Sequence, residues 1–206
     1  MKIFLDVGGH TGETLNEVIK DIYCFDRIIC FEPVKECFEI LKSNFIDSRI
    51  ELHNFGLWDK DTDAQVFAAG ESGGSVFKEK YTARNISLKN KKIEMCSFKK
   101  SSKWFKNNIN NDDIVLLKIN CEGCECDIMD DLIDSEEYSK VFHTLICLDI
   151  RKIPSQRHRE YELINKLKSI NKQNIFDSKS LNGITHQKRI NNWIANSGYF
   201  EKINER

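Results

Sequence analysis

Apolar and polar positions along the chain follow two rhythms, one of short apolar runs and one of helical spacing. Residues 3–7 (IFLDV) are an apolar run closed by Gly8 and Gly9, which predicts a buried strand ending in a turn. Leu15, Val18, Ile19 and Ile22 then recur on one helical face. A second strand is predicted at 28–32 (IICFE), stopped by Pro33, which has no N–H to give a ladder. The next helix, from about 35 to 45, carries Cys37, Phe38, Leu41 and Phe45 on one stripe. Residues 50–55 (IELHNF) read as a strand that ends at Gly56.

Strand and helix alternating with short connections predict an α/β fold with a mostly parallel, doubly wound sheet. The rhythm changes between 57 and 100. Gln65–Ala69 and Ile93–Phe98 read as strands, and the polar, lysine-rich stretch between them reads as a surface excursion within 70–105. The α/β pattern returns with strands at 114–119 (IVLLKI) and 143–149 and a short helix near 126–133. A helix at 156–169 turns Leu163, Ile164, Leu167 and Ile170 inward. A strand at 173–177 and a helix at 185–196 complete the reading, and no internal repeat is visible.

A length of 206 residues suits a single domain over 1–206, and 40% hydrophobic residues are enough for a core. The 31 basic and 32 acidic residues nearly cancel, so charge gives no case for a nucleic-acid or membrane-surface partner. The first apolar run is too short for a signal segment, and no stretch is long enough to span a membrane. A cytoplasmic location is expected. There the eight cysteines are expected as thiols, with Cys30 and Cys147 in strand-like runs and Cys37 on a helix face serving as small apolar residues.

Three constellations carry chemistry. The first is Asp6-Val-Gly-Gly-His-Thr-Gly12, where a strand turns into a helix. Glycines there let the backbone turn sharply and approach a ligand, and a helix start offers free N–H donors. The dinucleotide spacing G-x-G-x-x-G fails from Gly8, where His10 and Glu13 interrupt it, and from Gly9, where Thr11 and Thr14 do. No Gly-Lys-Ser/Thr follows for a phosphate loop. The plain alternative is a tight turn without a ligand. The second is Glu32 at the end of the second strand, where an acid in doubly wound folds accepts hydrogen bonds from ribose hydroxyls. Its alternative is a solvated acid. The third is Leu116-Leu-Lys-Ile-Asn-Cys-Glu-Gly-Cys-Glu125, a strand ending in Lys118, Asn120, Glu122 and Glu125. Because ligands lie outside the carboxyl ends of such strands, Asp6 and Gly8, Glu32, Asn54 and Gly56, Asn120 and Glu122, and Asp149 should converge on one rim.

Together FLDVGGHTGE (4–13), CFEP (30–33) and LLKINCEGCE (116–125) resemble the FkbM-type family of S-adenosylmethionine-dependent methyltransferases. The last segment is similar to the family's Leu-Lys-Ile-Asp-Val-Glu-Gly-Ala-Glu signature, and GLWDKDTDA (56–64) and GESGGSVF (70–77) look like its turns. The resemblance covers roughly 1–150 and is weak over 155–206. It implies a Rossmann-like class I methyltransferase fold, S-adenosylmethionine as cofactor, and O-methylation of a sugar, glycan precursor or related small metabolite. By it, the turn of Asp6, Gly8, Gly9, His10, Thr11 and Gly12 holds the methionine part of the cofactor, and Glu32, followed by Pro33, holds the ribose. Asn54, Gly56 and Leu57 flank the adenine, with Leu57 or Trp58 as an apolar wall.

Two departures matter. The family's acid is Asn120 here, an amide that cannot take a proton but can hydrogen-bond cofactor or acceptor. The chain also starts at its first strand, where family members often have extra covering elements, so an open site or a homo-oligomer that completes it is expected. An alcohol acceptor holds its proton about as tightly as water, pKa roughly 15.7, so a base or a metal must take the developing charge. Glu122 and Asp149 are the favoured residues on the acceptor side, with His10 as a further candidate base and Lys118 able to stabilise an oxyanion. For each carboxylate the alternative is a structural role, such as a cap or a pair with Lys or Arg151.

Cys121, Cys124 and Cys126 make a single C-x-x-C-x-C without a second pair, a weak metal signal, and no metal is expected. His53, His143, Trp104 and Phe105 read as packing residues. Two other functions stay open. One is a nicotinamide-dependent oxidoreductase, which the glycine spacing disfavours. The other is a catalytically silent S-adenosylmethionine-binding relative, for which Asn120 is the argument.

Overall fold

The computed structural model describes residues 1–81, 88, 90–170, 175–177 and 185–205. In chain order the first elements are β1 (Lys2–Val7), α1 (Leu15–Val18), β2 (Arg27–Phe31), α2 (Lys35–Asn44) and β3 (Ile50–His53). Next come β4 (Gly56–Trp58), β5 (Thr62–Phe67), β6 (Ile93–Lys100) and α3 (Ser101–Asn108). The remainder is β7 (Ile114–Ile119), α4 (Glu125–Asp134), β8 (Val141–Ile146), α5 (Arg159–Ser169), β9 (Ile175–Asp177), α6 (His186–Asn196) and α7 (Tyr199–Asn204).

The central sheet has the order β3-β2-β1-β7-β8-β9, and every neighbouring pair is parallel. The winding reverses between β1 and β7, which leaves a crevice at their carboxyl ends. Alternate residues of the inner strands serve two cores. Ile3, Leu5, Val7, Val115, Leu117 and Ile119 pack with side chains of α3, α4 and α5. Phe4, Ile28, Leu116 and Leu145 pack with α1, α2 and α6, where Leu15, Leu41 and Trp193 are fully buried. Helices on both faces explain why β7 is apolar at nearly every position instead of alternating.

A second, small sheet has the order β4-β6-β5, with β4 parallel and β5 antiparallel to β6. Val66, Cys96 and Phe98 from this sheet pack with Val34 and Cys37 at the start of α2, beside the crevice.

Several sequence expectations shift. Ile22 is exposed, because the chain leaves the helix at Lys20, which is extended, and Tyr23 takes the buried position. The third strand stops at His53, and Gly56 opens β4 instead of closing β3. The strand expected at 143–149 runs from Val141 to Ile146, so Asp149 lies in a 3-10 turn, Asp149–Lys152. Ile164 and Ile170 are exposed, while Leu163 and Leu167 face inward. The helix α3, inside the expected excursion, carries the buried Trp104 and Phe105. Part of the excursion (82–87 and 89) and the first two residues of the strand expected at 173–177 lie outside the described residues.

Candidate active site

The carboxyl ends of the strands surround a cavity of about 330 Å³, a volume in the range of small-molecule sites. Val7, Gly8, Gly9 and His10 line it from the end of β1, and Phe31, Glu32, Pro33 and Val34 from the end of β2. Gly56 and Leu57 come from β4, and Lys118, Asn120, Cys121, Glu122 and Cys124 from the end of β7.

The β1 turn is shaped by close packing. Gly8 is left-handed, φ +88°, and a Cβ there would lie 2.1 Å from the Asn120 carbonyl oxygen. A Cβ on Gly9 would lie 2.1 Å from Cys30 Sγ, and one on Gly12 would enter the Phe45 ring. Gly12 and Thr11 are not among the cavity-lining residues, so Gly12 answers to α2 packing. His10 is left-handed too, φ +48°, as is Glu122, φ +60°. Such backbone is uncommon for non-glycine residues, and these two line the cavity.

Glu32 is held at this turn. Its Oε2 accepts the His10 N–H at 2.8 Å and its Oε1 accepts the Val34 N–H at 2.8 Å. Burial pushes its carboxyl up to about 7, against the two backbone donors. Asn54 lies outside the lining and braces the strand end, donating to the carbonyls of Glu32 and Pro33.

Asp6 and Lys118 are register partners across β1 and β7. Lys118 Nζ donates to Asp6 Oδ1 at 2.7 Å and to the Gly8 carbonyl at 2.9 Å, so its ammonium fastens the glycine turn. Burial works against both charges; the Asp6 charge nevertheless moves Lys118 upward. Asp6 is fully buried and outside the cavity lining. Its Oδ2 and the Asn120 Oδ1 are buried polar atoms without a protein partner.

On the other side of the crevice the two favoured carboxylates separate. Glu122 lines the cavity, and its Oε2 is bound by Lys80. Burial pushes Glu122 up, Lys80 opposes this, and the nearby Asp149 adds to it. Asp149 is not a lining residue; it pairs with Lys152 Nζ at 2.5 Å in its 3-10 turn. Strand β8 ends too early to carry it to the rim.

The segment Gly70–Val76 walls the cavity opposite the strand ends. Ser75 Oγ ties it to the Glu122 carbonyl at 2.7 Å. All eight cysteines are thiols, and among the described residues no group of three or more His, Cys, Asp or Glu is arranged to hold a metal ion. Among the same residues no helix is long and apolar enough to cross a membrane.

The sequence model of the methyltransferase FkbM domain matches residues 6–196. The chain belongs to the FkbM methyltransferase family. Among solved structures, a methyltransferase FkbM from Methylobacillus flagellatus KT is similar with a TM-score of 0.48 and 14% identity, over 82% of this chain and 38% of that one. The chain thus spans well under half the length of that structure. None of the curated proteins compared with the chain matches it.

The cavity is also built by groups that did not stand out in the sequence. His186, at the start of α6, lines the cavity and shares a 2.9 Å hydrogen bond with Thr14 Oγ1. Burial, with the charges of Lys118 and Arg189, pulls it down to about 4, so it is neutral at physiological pH. Lys80 is 1% exposed and bonded to Glu122. No local pattern marks either residue, because each reaches the site by a long-range contact.

Proposed function

We propose that this chain is an S-adenosylmethionine-dependent O-methyltransferase whose acceptor is a hydroxyl of a sugar, a glycan precursor or a related small metabolite. The observation that carries the reading is the Glu32 carboxyl, fixed on the cavity rim by one backbone N–H on each oxygen. Each oxygen keeps a lone pair for a ligand donor, which suits the two ribose hydroxyls of an adenosine. The other residues fit the same group. Asn120 Oδ1 is a buried acceptor without a partner, which suits an ammonium or hydroxyl donor. Phe31, Pro33 and Leu57 provide an apolar wall for a flat ring.

Bound, S-adenosylmethionine supplies a methyl group on a positively charged sulfur, already activated for displacement. The chain then has to orient the acceptor in line, exclude water and take one proton. Glu122, which lines the cavity, would take the acceptor O–H proton as the O–C bond forms and the S–C bond breaks, its electron pair leaving on the thioether sulfur. Asn120 cannot do so, because an amide has no basic site at this pH. Lys118 has two donors committed to Asp6 and Gly8, so its part is to hold the donor turn.

A donor-binding relative without turnover is the second reading, favoured by the amide at Asn120. Methylation of any acceptor, detected by transfer of a labelled methyl group, decides against it.

Calorimetry with S-adenosylhomocysteine and with NAD tests the donor assignment. The expected result is micromolar binding of the former alone, weakened at least tenfold, about 1.4 kcal/mol, by Glu32→Ala. A folded protein that ignores S-adenosylhomocysteine overturns the proposal.

A further inference from the structure

A lysine side chain that is 1% exposed needs full compensation, and Lys80 finds it on two neighbouring segments. Its Nζ binds Glu122 Oε2 and donates to the Gly73 carbonyl at 2.9 Å. Gly73 and Glu122 both line the cavity, whereas Lys80 stands behind them. The same junction is fastened twice more. Ser75 Oγ donates to the Glu122 carbonyl at 2.7 Å and accepts the Phe77 N–H at 3.1 Å. The Phe77 ring packs so closely on Gly123 that a Cβ there would come within 2.8 Å of it. Glu122 itself is held at φ +60°, a backbone state that persists only when its surroundings enforce it.

We propose that Lys80 is a positioning residue that holds the Glu122 carboxylate and the Gly73 carbonyl together, so that the proton-accepting group and the wall facing it are placed as one unit. This rests on the methyltransferase reading for what Glu122 does, and on the geometry alone for the coupling.

The charged groups facing Glu122 make the coupling readable. Lys80 reaches it from beyond the wall segment, and Lys152, in the turn after β8, has its Nζ 3.9 Å from Glu122 Oε2. Asp149 repels it from that same turn, and Glu125 is the nearby acid at the start of α4. Lys80 makes the closest contact of these, and Lys152 is already committed to Asp149 at 2.5 Å. Removing the Lys80 charge therefore leaves Glu122 facing burial and Asp149 with only Lys152, at 3.9 Å and shared with Asp149.

The test is a carboxyl NMR titration of protein labelled with [13C]glutamate, with Glu122 assigned by its loss in Glu122→Gln, together with amide exchange of residues 73–77. In Lys80→Met the Glu122 titration should move up by about one pH unit or more, tenfold in proton affinity. Exchange at 73–77 should quicken by about tenfold. Lys80→Arg should restore both. An unmoved Glu122 titration overturns the proposal, even if exchange quickens, because Lys80 would then be a wall anchor only. Should Lys80→Met not fold, Glu122→Gln carries the test: it should quicken exchange at 73–77, and unchanged exchange overturns the coupling. Failure of the wild type to bind S-adenosylhomocysteine would instead strike the methyltransferase reading and leave the titration result standing.

Discussion

Asp6 and Lys118 lie side by side at the end of the central sheet, joined at 2.7 Å across strands that are 112 residues apart in sequence. The pair faces α1 and α6, and Lys118 also holds the Gly8 carbonyl. One buried ion pair thus ties the switch point of the sheet to the turn that starts the cavity.

Breaking that pair from one side should be costly. Lys118→Met leaves the Asp6 carboxylate buried with no cation, and its Oδ2 already lacks a partner. A loss of roughly 3–5 kcal/mol is expected, measured by urea unfolding. The double variant Asp6→Leu/Lys118→Met should recover most of it. Equal losses in the single and double variants would show that the pair is not the source.

Gly8 and Gly9 of the turn should fail for different reasons. Gly9→Ala collides with a side-chain atom, Cys30 Sγ, and the next neighbour of its Cβ is 3.4 Å away. It should lose about 1–3 kcal/mol as an overpacked site, and Gly9→Ala/Cys30→Ala should recover the loss. Gly8→Ala meets backbone, the Asn120 carbonyl, at φ +88°, and no side-chain deletion should rescue it. Thermal unfolding of Gly8→Ala and Gly9→Ala, each with and without Cys30→Ala, checks this. Rescue of Gly8→Ala by a side-chain deletion would contradict the packing argument.

Binding of S-adenosylhomocysteine should depend on pH through Glu32. Its carboxyl is raised to about 7 in the free protein, and ribose hydroxyls favour the ionised form. Affinity should be full above about 7 and fall by up to tenfold per pH unit below it. Glu32→Gln should bind more weakly and without this pH dependence. Calorimetry between pH 5 and 8 reads both, and a flat wild-type profile would rule out the carboxylate as the titrating contact.

Glu125 should set a stability penalty at alkaline pH. It is fully buried, and its Oε1 accepts the Gly123 N–H at 3.0 Å. Burial raises it from 4.5 to about 8. A folded value above the unfolded one means that its contribution is complete below the unfolded value, declines above it, and is lost once pH has risen through about 8. Glu125→Gln keeps an acceptor for Gly123 and cannot ionise. It should nearly match the wild type near pH 5 and exceed it near pH 9 by a few kcal/mol, since each tenfold change in proton affinity is worth about 1.4 kcal/mol. Melting temperatures at both pH values test it; parallel curves would mean that Glu125 does not titrate on unfolding.

Much of the fold was legible because its signals are local. The run 114–119 is apolar at every position but Lys118 and became β7 with the same limits, since a strand covered on both faces needs no alternation. Leu15 and Val18 gave α1, but the end of that helix at Lys20, which left Ile22 in solvent, follows from a backbone turn that spacing does not encode. Strand β4 is three residues long and exists by pairing with β6 about 40 residues on, so nothing local announced it.

By itself the sequence determined the alternation of strand and helix, and with it the meeting of the Asp6 turn, Glu32 and Asn120 at one edge. Parallel strands joined by crossovers of one hand must end on the same side of their sheet. Only the tertiary structure decided which polar groups enter the cavity. Asp149 stays out because β8 ends at Ile146, His186 comes in on a segment distant in sequence, and Lys80 reaches Glu122 from behind the lining. The physical reason is that strand direction is set by neighbouring residues, whereas burial and charge pairing are set by whatever long-range packing brings within hydrogen-bond reach.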